Sequence, residues 1–303
     1  MIDASAPAWR PTGLVWTEAG ARLEWLSPTG DVRASAVEPG ARLSLRVGSD
    51  RRCTGLRWDG RRVPCTAAAP IDAGAKSGQC VSCAAIARTR SVATDTALDD
   101  PREFTVYLAH HGSIIKTGIT ATERGQARLL EQGALSSMVL SAGSLLSARR
   151  CEALLTTALG IPQQVRTARK RGARLAPGTA LTRAAELVAV AEHAAGLDWP
   201  SGQTRTTTDP VDHTPTYGLP HGGIAPDQQI DPLHAEATIN GEVVCRIGRD
   251  LYLATSAGLM LLDTGLLQGW ALSRAHDDEP FTAGATLVTK PRATTETQHD
   301  VLF

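Results

Sequence analysis

FTVYLAHHGSIIKTGITATERGQARLLEQGALSSMVLSAGSLLSARRCE, residues 104–152, is the stretch whose reading decides the fold. Two apolar runs, 104–109 and 114–119, flank a His-His-Gly-Ser turn. A β-rich run on each side of a Gly-containing loop is a hairpin signal. Charged, helix-compatible sequence follows at Thr122, Glu123, Arg124, Arg128 and Glu131, with Thr120 or Thr122 as the expected N-cap. A second helical pattern carries Ala148, Arg149, Arg150 and Glu152. The expected order is hairpin, helix with Arg, helix with Glu.

Working outward, 303 residues allow two or three domains, and 42% hydrophobic content suits a packed core. Aromatics are only 4%, so that core is expected to be aliphatic and Ala-rich. The formal net charge is zero, so no global field draws the chain to a polyanion. DNA or RNA binding would have to come from local basic patches. Two stretches qualify: Arg51, Arg52, Arg57, Arg61 and Arg62, and then Arg166, Arg169, Lys170, Arg171 and Arg174. No apolar run reaches 18 residues, so no membrane contact is expected. The opening MIDASAPAWRP lacks an apolar signal core, which points to a cytoplasmic protein.

In a reducing compartment, cysteines serve metals or remain free thiols more often than they form disulfides. Cys53, Cys65, Cys80 and Cys83 lie close together in the chain. Cys80-Val81-Ser82-Cys83 is a CxxC knuckle, which lets two thiolates meet one ion. Between Cys53 and Cys65 the chain reads as a hairpin with Asp59-Gly60 as its turn. That hairpin would return Cys65 beside Cys53, giving four thiolates for a closed, structural Zn²⁺ site. A redox-active Cys80–Cys83 pair and an iron–sulfur cluster on the same ligands are the alternatives. Cys151 and Cys245 read as lone buried thiols.

The expected fold class is α+β, in parts. Residues 1–100 form a β-rich Cys₄ metal-binding module and 101–198 an α/β core with following helices, including a helix over 180–195. Residues 199–234, rich in Pro, Gly, Thr and Asp without periodicity, read as a flexible linker. Its histidines, His213, His221 and His234, read as incidental. Residues 235–275 form a small β extension, and 276–303 a mobile tail.

The segment 104–152 resembles the GIY-YIG nuclease superfamily. Val106-Tyr107 stands at the first half-signature, Lys116-Thr117-Gly118 at the second, Arg124 or Arg128 at the helix Arg, and Glu152 at the metal-binding Glu. With the upstream cysteines it is closer still to an uncharacterised actinobacterial and archaeal branch, which shares Tyr107-Leu108, Lys116 to Thr120, Arg128 before Gln132-Gly133-Ala134, and Glu152. Two positions depart: Lys116 replaces the superfamily's second Tyr, and Gln132 replaces a His or Tyr. The resemblance implies a GIY-YIG-like α/β domain and metal-assisted phosphodiester cleavage of nucleic acid. Glu152 would hold Mg²⁺ and Arg128 would clamp a phosphate oxygen. Tyr107, made more acidic by Lys116, would deprotonate water. A non-catalytic nucleic-acid-binding module and a core redirected to a small-molecule substrate are the competing readings, so enzyme activity stays open.

Overall fold

The structure is a computed structural model and describes residues 9–17, 19–58, 60–89 and 100–288. Short runs of branched and aromatic residues broken by Gly and Asp produce the first sheet. β1 (Arg10–Thr17), β2 (Gly20–Leu26) and β3 (Val32–Ala36) form an antiparallel meander. β4 (Arg42–Arg51) leaves it for a different sheet. β5 (Leu56–Trp58) and β6 (Arg61–Val63) make the expected small hairpin, Trp58 opposite Arg61. Gly60 takes the left-handed turn position at φ +73°, while Asp59 lies outside the described residues. α1 (Val81–Thr89) closes this region.

β7 (Phe104–His110) and β8 (Ile115–Ala121) pair as the expected hairpin, with Tyr107 opposite Gly118. The next segment is not one capped helix. It is a 3-10 turn at Thr122–Arg124 and a short α2 (Ala127–Glu131), neither with a side-chain cap. Gly125, at φ +46°, interrupts the helical run between them. β9 (Ser136–Gly143) then pairs antiparallel with β7. α3 (Leu145–Leu159) starts at Ser144, whose hydroxyl accepts from the Ser147 amide, and stops at Gly160 in the left-handed region. Its buried stripe, Leu145, Ala148, Cys151 and Leu155, recurs at helical spacing and packs on the β7–β9 sheet. α4 (Thr167–Ala173) and α5 (Ala180–Ala195) follow, the latter over the expected residues.

Residues 199–234 correct the linker expectation. β10 (Gln203–Arg205) and β11 (Val211–Asp212) both pair with β9. α6 (Thr214–Tyr217) buries Tyr217 fully, and β12 (Gln228–Ile230) enters a large sheet. The polar composition that suggested a connector reflects strands of two or three residues, which need few apolar residues. The remaining strands are β13 (Thr238–Ile247), β14 (Asp250–Thr255), β15 (Gly258–Asp263), β16 (Trp270–Arg274) and β17 (Ala285–Leu287). Part of the expected tail is thus β-structure, and residues 289–303 lie outside the described ones.

The seven-stranded sheet has the order β16-β4-β13-β14-β15-β12-β17. β4 sits between β16 and β13, so the N-terminal β region and the C-terminal strands share one sheet and one core of Leu45, Val47, Ile239, Leu251, Leu262 and Trp270. The N-terminal module and C-terminal extension are therefore not separate bodies. What holds as expected is a mixed α+β chain with its four-cysteine cluster near the N-terminus.

α4 joins the β7–β9 sheet to the seven-stranded one. Arg174, on its C-terminal turn, donates to Asp250 at 2.6 Å and to the Tyr252 hydroxyl at 3.2 Å. Arg171 forks onto Asp250 at 2.6 and 3.0 Å. Asp250 is 1% exposed. Burial works to raise its pKa, but Arg174 and Arg171 outweigh it and hold the carboxyl below its ordinary value. Its contribution to stability is therefore present at neutral pH and is lost as pH falls through the acid range. Removing one partner of a buried ion pair strands the other charge. Asp250→Ala is expected to lower unfolding free energy by about 3–5 kcal/mol, read from the denaturant midpoint at pH 7. A loss under about 0.5 kcal/mol, the scale of an ordinary surface substitution, would show that this clasp does not hold the sheets together.

Candidate functional site

The Sγ atoms of Cys53, Cys65, Cys80 and Cys83 all lie within 4.8 Å of one another, and Cys65 and Cys80 are 4.0 Å apart. Tetrahedral coordination with metal–sulfur bonds near 2.3 Å needs sulfurs roughly 3.8 Å apart, so the set can hold a metal ion such as zinc after a small contraction. Cys53 follows β4, Cys65 follows β6, Cys80 precedes α1 and Cys83 lies in it. The Gly55 and Cys80 amides donate to the Cys53 sulfur at 3.4 and 3.2 Å. Gly55 is required here: at φ +72°, a Cβ on it would run into the Val63 carbonyl oxygen. The loop before Cys80 is organised by Arg51, whose guanidinium donates to the carbonyls of Asp72, Ala73 and Ala75 at 2.9–3.0 Å.

The second cluster centres on Tyr107. Tyr107 is 1% exposed, and its hydroxyl accepts from Gln132 Nε2 at 2.7 Å. The ring lies over Gly118, where any Cβ would overlap the Tyr107 hydroxyl, so the glycine is what admits the tyrosine. Lys116 sits with its ammonium 5.5 Å from the centre of the Tyr107 ring and donates to the Gln163 carbonyl at 3.0 Å. Burial pushes its pKa down to about 8, with Glu152 opposing and Arg128 adding to the shift. Burial raises the Glu152 carboxyl, and Lys116 and Arg149 pull the other way. Arg128, half-exposed on α2, approaches Glu131 at 3.5 Å and also acts on Tyr107. Tyr107 and Lys116 thus each feel both Arg128 and Glu152.

Two residues not singled out for this site belong to the cluster. Lys170 donates to the Gln132 carbonyl at 2.8 Å. Burial, then Lys116, Arg174 and Arg128, lower its pKa to about 8. His111 is 2% exposed, and neither ring nitrogen makes a well-formed hydrogen bond among the described residues, with Gly133 the backbone group acting on it. Burial, Lys170 and Lys116 push it down to about 2, so it is neutral at physiological pH. Lys170 lay in the basic stretch after the core, and nothing in its spacing ties it to Gln132. One expectation for Tyr107 is corrected. Burial raises its pKa more than Arg128, Gln132 and Arg124 lower it, so it is a phenol rather than a ready base. Two cavities, about 390 and 340 Å³, are lined by other residues.

Much of each basic stretch faces inward or is paired. Arg57 and Arg62 bind Glu24, Arg52 binds Asp50, and Arg171 and Arg174 bind Asp250. Of the histidines in 199–234, His213 is buried against Ser137 Oγ at 2.8 Å, and His221 and His234 are exposed. Among the described residues, the four cysteines are the group with metal-site spacing. No helix among them is long and apolar enough to cross a membrane.

Residues 40–272 match a family model described as "Protein of unknown function (DUF2797)". The match spans well over half of the chain, which belongs to this family. It corrects the GIY-YIG resemblance: the assignment runs through both sheets, and it is not to that nuclease superfamily. The resemblance rested on a short hairpin-and-helix motif in which Lys116 and Gln132 already replaced its most specific positions. No curated protein and no solved structure matches the chain.

The cysteine geometry generates a direct test. Elemental analysis of purified protein is expected to find about one equivalent of a thiophilic metal per chain. Cys80→Ser is expected to lose that metal and cost far more stability than Cys245→Ser, because metal binding and folding are linked. Less than half an equivalent of zinc or iron overturns the assignment.

Proposed function

We propose that this DUF2797 chain hydrolyses phosphodiester bonds in nucleic acid at the Tyr107 cluster, with zinc on the four cysteines as a structural staple. The observation that carries the reading is the crowding of cations. Lys116 lies 5.5 Å from the Tyr107 ring and Lys170 on the Gln132 carbonyl; Arg128 disfavours the charge of both, Lys116 that of Lys170, and the raised Glu152 carboxyl acts on Lys116. A phosphate anion relieves that repulsion, and a guanidinium can fork onto two of its oxygens.

Lys116 is the better proton acceptor than Tyr107. With a pKa of about 8, roughly a tenth of it is neutral amine at pH 7 and about half at pH 8. Water attacks phosphorus and gives its proton to Lys116 Nζ. The new P–O bond forms as the ester P–O bond breaks, and the leaving oxygen takes a proton from solvent. Arg128 and Lys170 neutralise the non-bridging oxygens. The Tyr107 hydroxyl, fixed by Gln132, donates a hydrogen bond towards the attacked group. Glu152 is the hard oxygen donor of the cluster and would hold Mg²⁺ together with substrate oxygens and water, a donor set Mg²⁺ accepts. The chemistry supplied there is charge neutralisation at the phosphate.

The test is Mg²⁺-dependent nicking of labelled DNA and RNA oligonucleotides. Glu152→Gln is expected to abolish turnover with the fold intact. Arg128→Lys is expected to lower it roughly 10²-fold or more, the scale for losing one transition-state donor. The wild-type rate is expected to rise with pH through about 8, as Lys116 loses its proton. Full activity in Glu152→Gln, or a rate that falls with pH across that range, rules the mechanism out.

A further inference from the structure

A groove of about 390 Å³ lies on the β4–β16 side of the seven-stranded sheet and shares no residue with the Tyr107 cluster. Its floor is apolar: Trp25, Leu43, Leu45 and Leu272 line it. Its other lining residues include three arginines, Arg33, Arg42 and Arg274, with one carboxylate, Asp277. The Arg33 guanidinium lies 4.0 Å from the centre of the Trp9 ring and 5.6 Å from that of Trp25, so a planar cation is already stacked on indole here. Arg42 donates to the Asp277 backbone carbonyl, and Ser44 Oγ donates to the Asp277 carboxylate at 2.7 Å. That carboxylate lies 3.9 Å from Arg42 and 3.8 Å from Arg274, whose side chains are 53% and 83% exposed. Exposed pairs of this length hold weakly, so an incoming anion competes with the carboxylate for both guanidinium groups without moving it.

We infer that this groove binds a single-stranded nucleic-acid segment, a base on the Trp25–leucine floor and flanking phosphates on Arg33, Arg42 and Arg274. The inference deepens the proposed function by naming single-stranded polynucleotide as the ligand class, and it rests on that reading for the purpose of binding. Stacking surfaces beside arginines are how proteins hold single strands without reading sequence. The chain's zero net charge does not oppose this, because the three arginines outnumber the groove's one acid. They come from β3, β4 and β16, and Arg274 joins the other two only through the fold.

Fluorescence polarisation with a labelled single-stranded DNA oligonucleotide of about ten nucleotides, a length within the usual site size, tests it. Wild type is expected to bind, with affinity falling steeply as salt rises. Arg274→Glu, on an exposed side chain, and Arg33→Glu with Arg274→Glu are each expected to weaken binding about tenfold or more and to flatten the salt slope. Thermal unfolding checks that both variants fold. No binding by wild type, or unchanged binding in folded Arg274→Glu and the double variant, overturns the inference. Equally tight, variant-sensitive binding of a labelled oligoglutamate peptide also overturns it, in favour of an acidic protein partner. The nicking assay is read separately. If wild type binds the strand through the groove but nicks nothing, the groove stands and the hydrolase reading falls. If wild type nicks and the variants bind unchanged, the reverse holds.

Discussion

A carboxylate at 1% exposure must be paired, and the pairing of Asp250 with Arg171 and Arg174 fixes how the two sheets meet. Asp250 opens β14, in the middle of the seven-stranded sheet, and both arginines come from α4 and its end. Neither side can shift without leaving a charge in a low-dielectric interior. The same junction is tightened by glycines. Gly133, after α2, and Gly248, in the β13–β14 turn, both have positive φ, and a Cβ on either would crowd the other's backbone or neighbours. A Cβ on Gly112 would overlap Ala173 of α4. The helix is thus held from the hairpin turn on one side and from β14 on the other.

That placement carries through to the chemistry. With α4 fixed, Lys170 reaches the Gln132 carbonyl, and the Gln132 side chain reaches the Tyr107 hydroxyl. The polar cluster is therefore assembled by a helix whose main task is to join sheets. A half-buried cation such as Lys170 is tolerable because it donates to the Gln132 carbonyl and its proton is held weakly.

Local signals were legible and non-local ones were not. The hairpin with Tyr107 opposite Gly118 follows from two apolar runs around His-His-Gly-Ser, and α3 and α5 follow from the helical patterns through 148–152 and over 180–195. The cysteine grouping follows from a CxxC and a hairpin turn. β9 was hidden because Ser136, Ser137, Ser141 and Ala142 dilute its pattern, although it is the central strand. β10 to β12 were hidden because two- and three-residue strands carry no periodicity. The pairing of β4 with β13 spans most of the chain, and no local preference encodes it.

Charge shows the same limit most clearly. Arginines clustered in sequence read as a surface patch, yet Arg51 is capping loop carbonyls, Arg62 is pinned to Glu24, and Arg174 is buried on Asp250. The folding reason is that a planar, always-charged fork satisfies several carbonyl or carboxylate acceptors at once, so arginine suits buried joints between elements. Cations that remain exposed, such as Arg42 and Arg274, sit singly in sequence and become neighbours only through strand pairing. A neutral chain can therefore present a positive groove, because its interior ion pairs take up basic residues that its sequence seemed to offer to solvent.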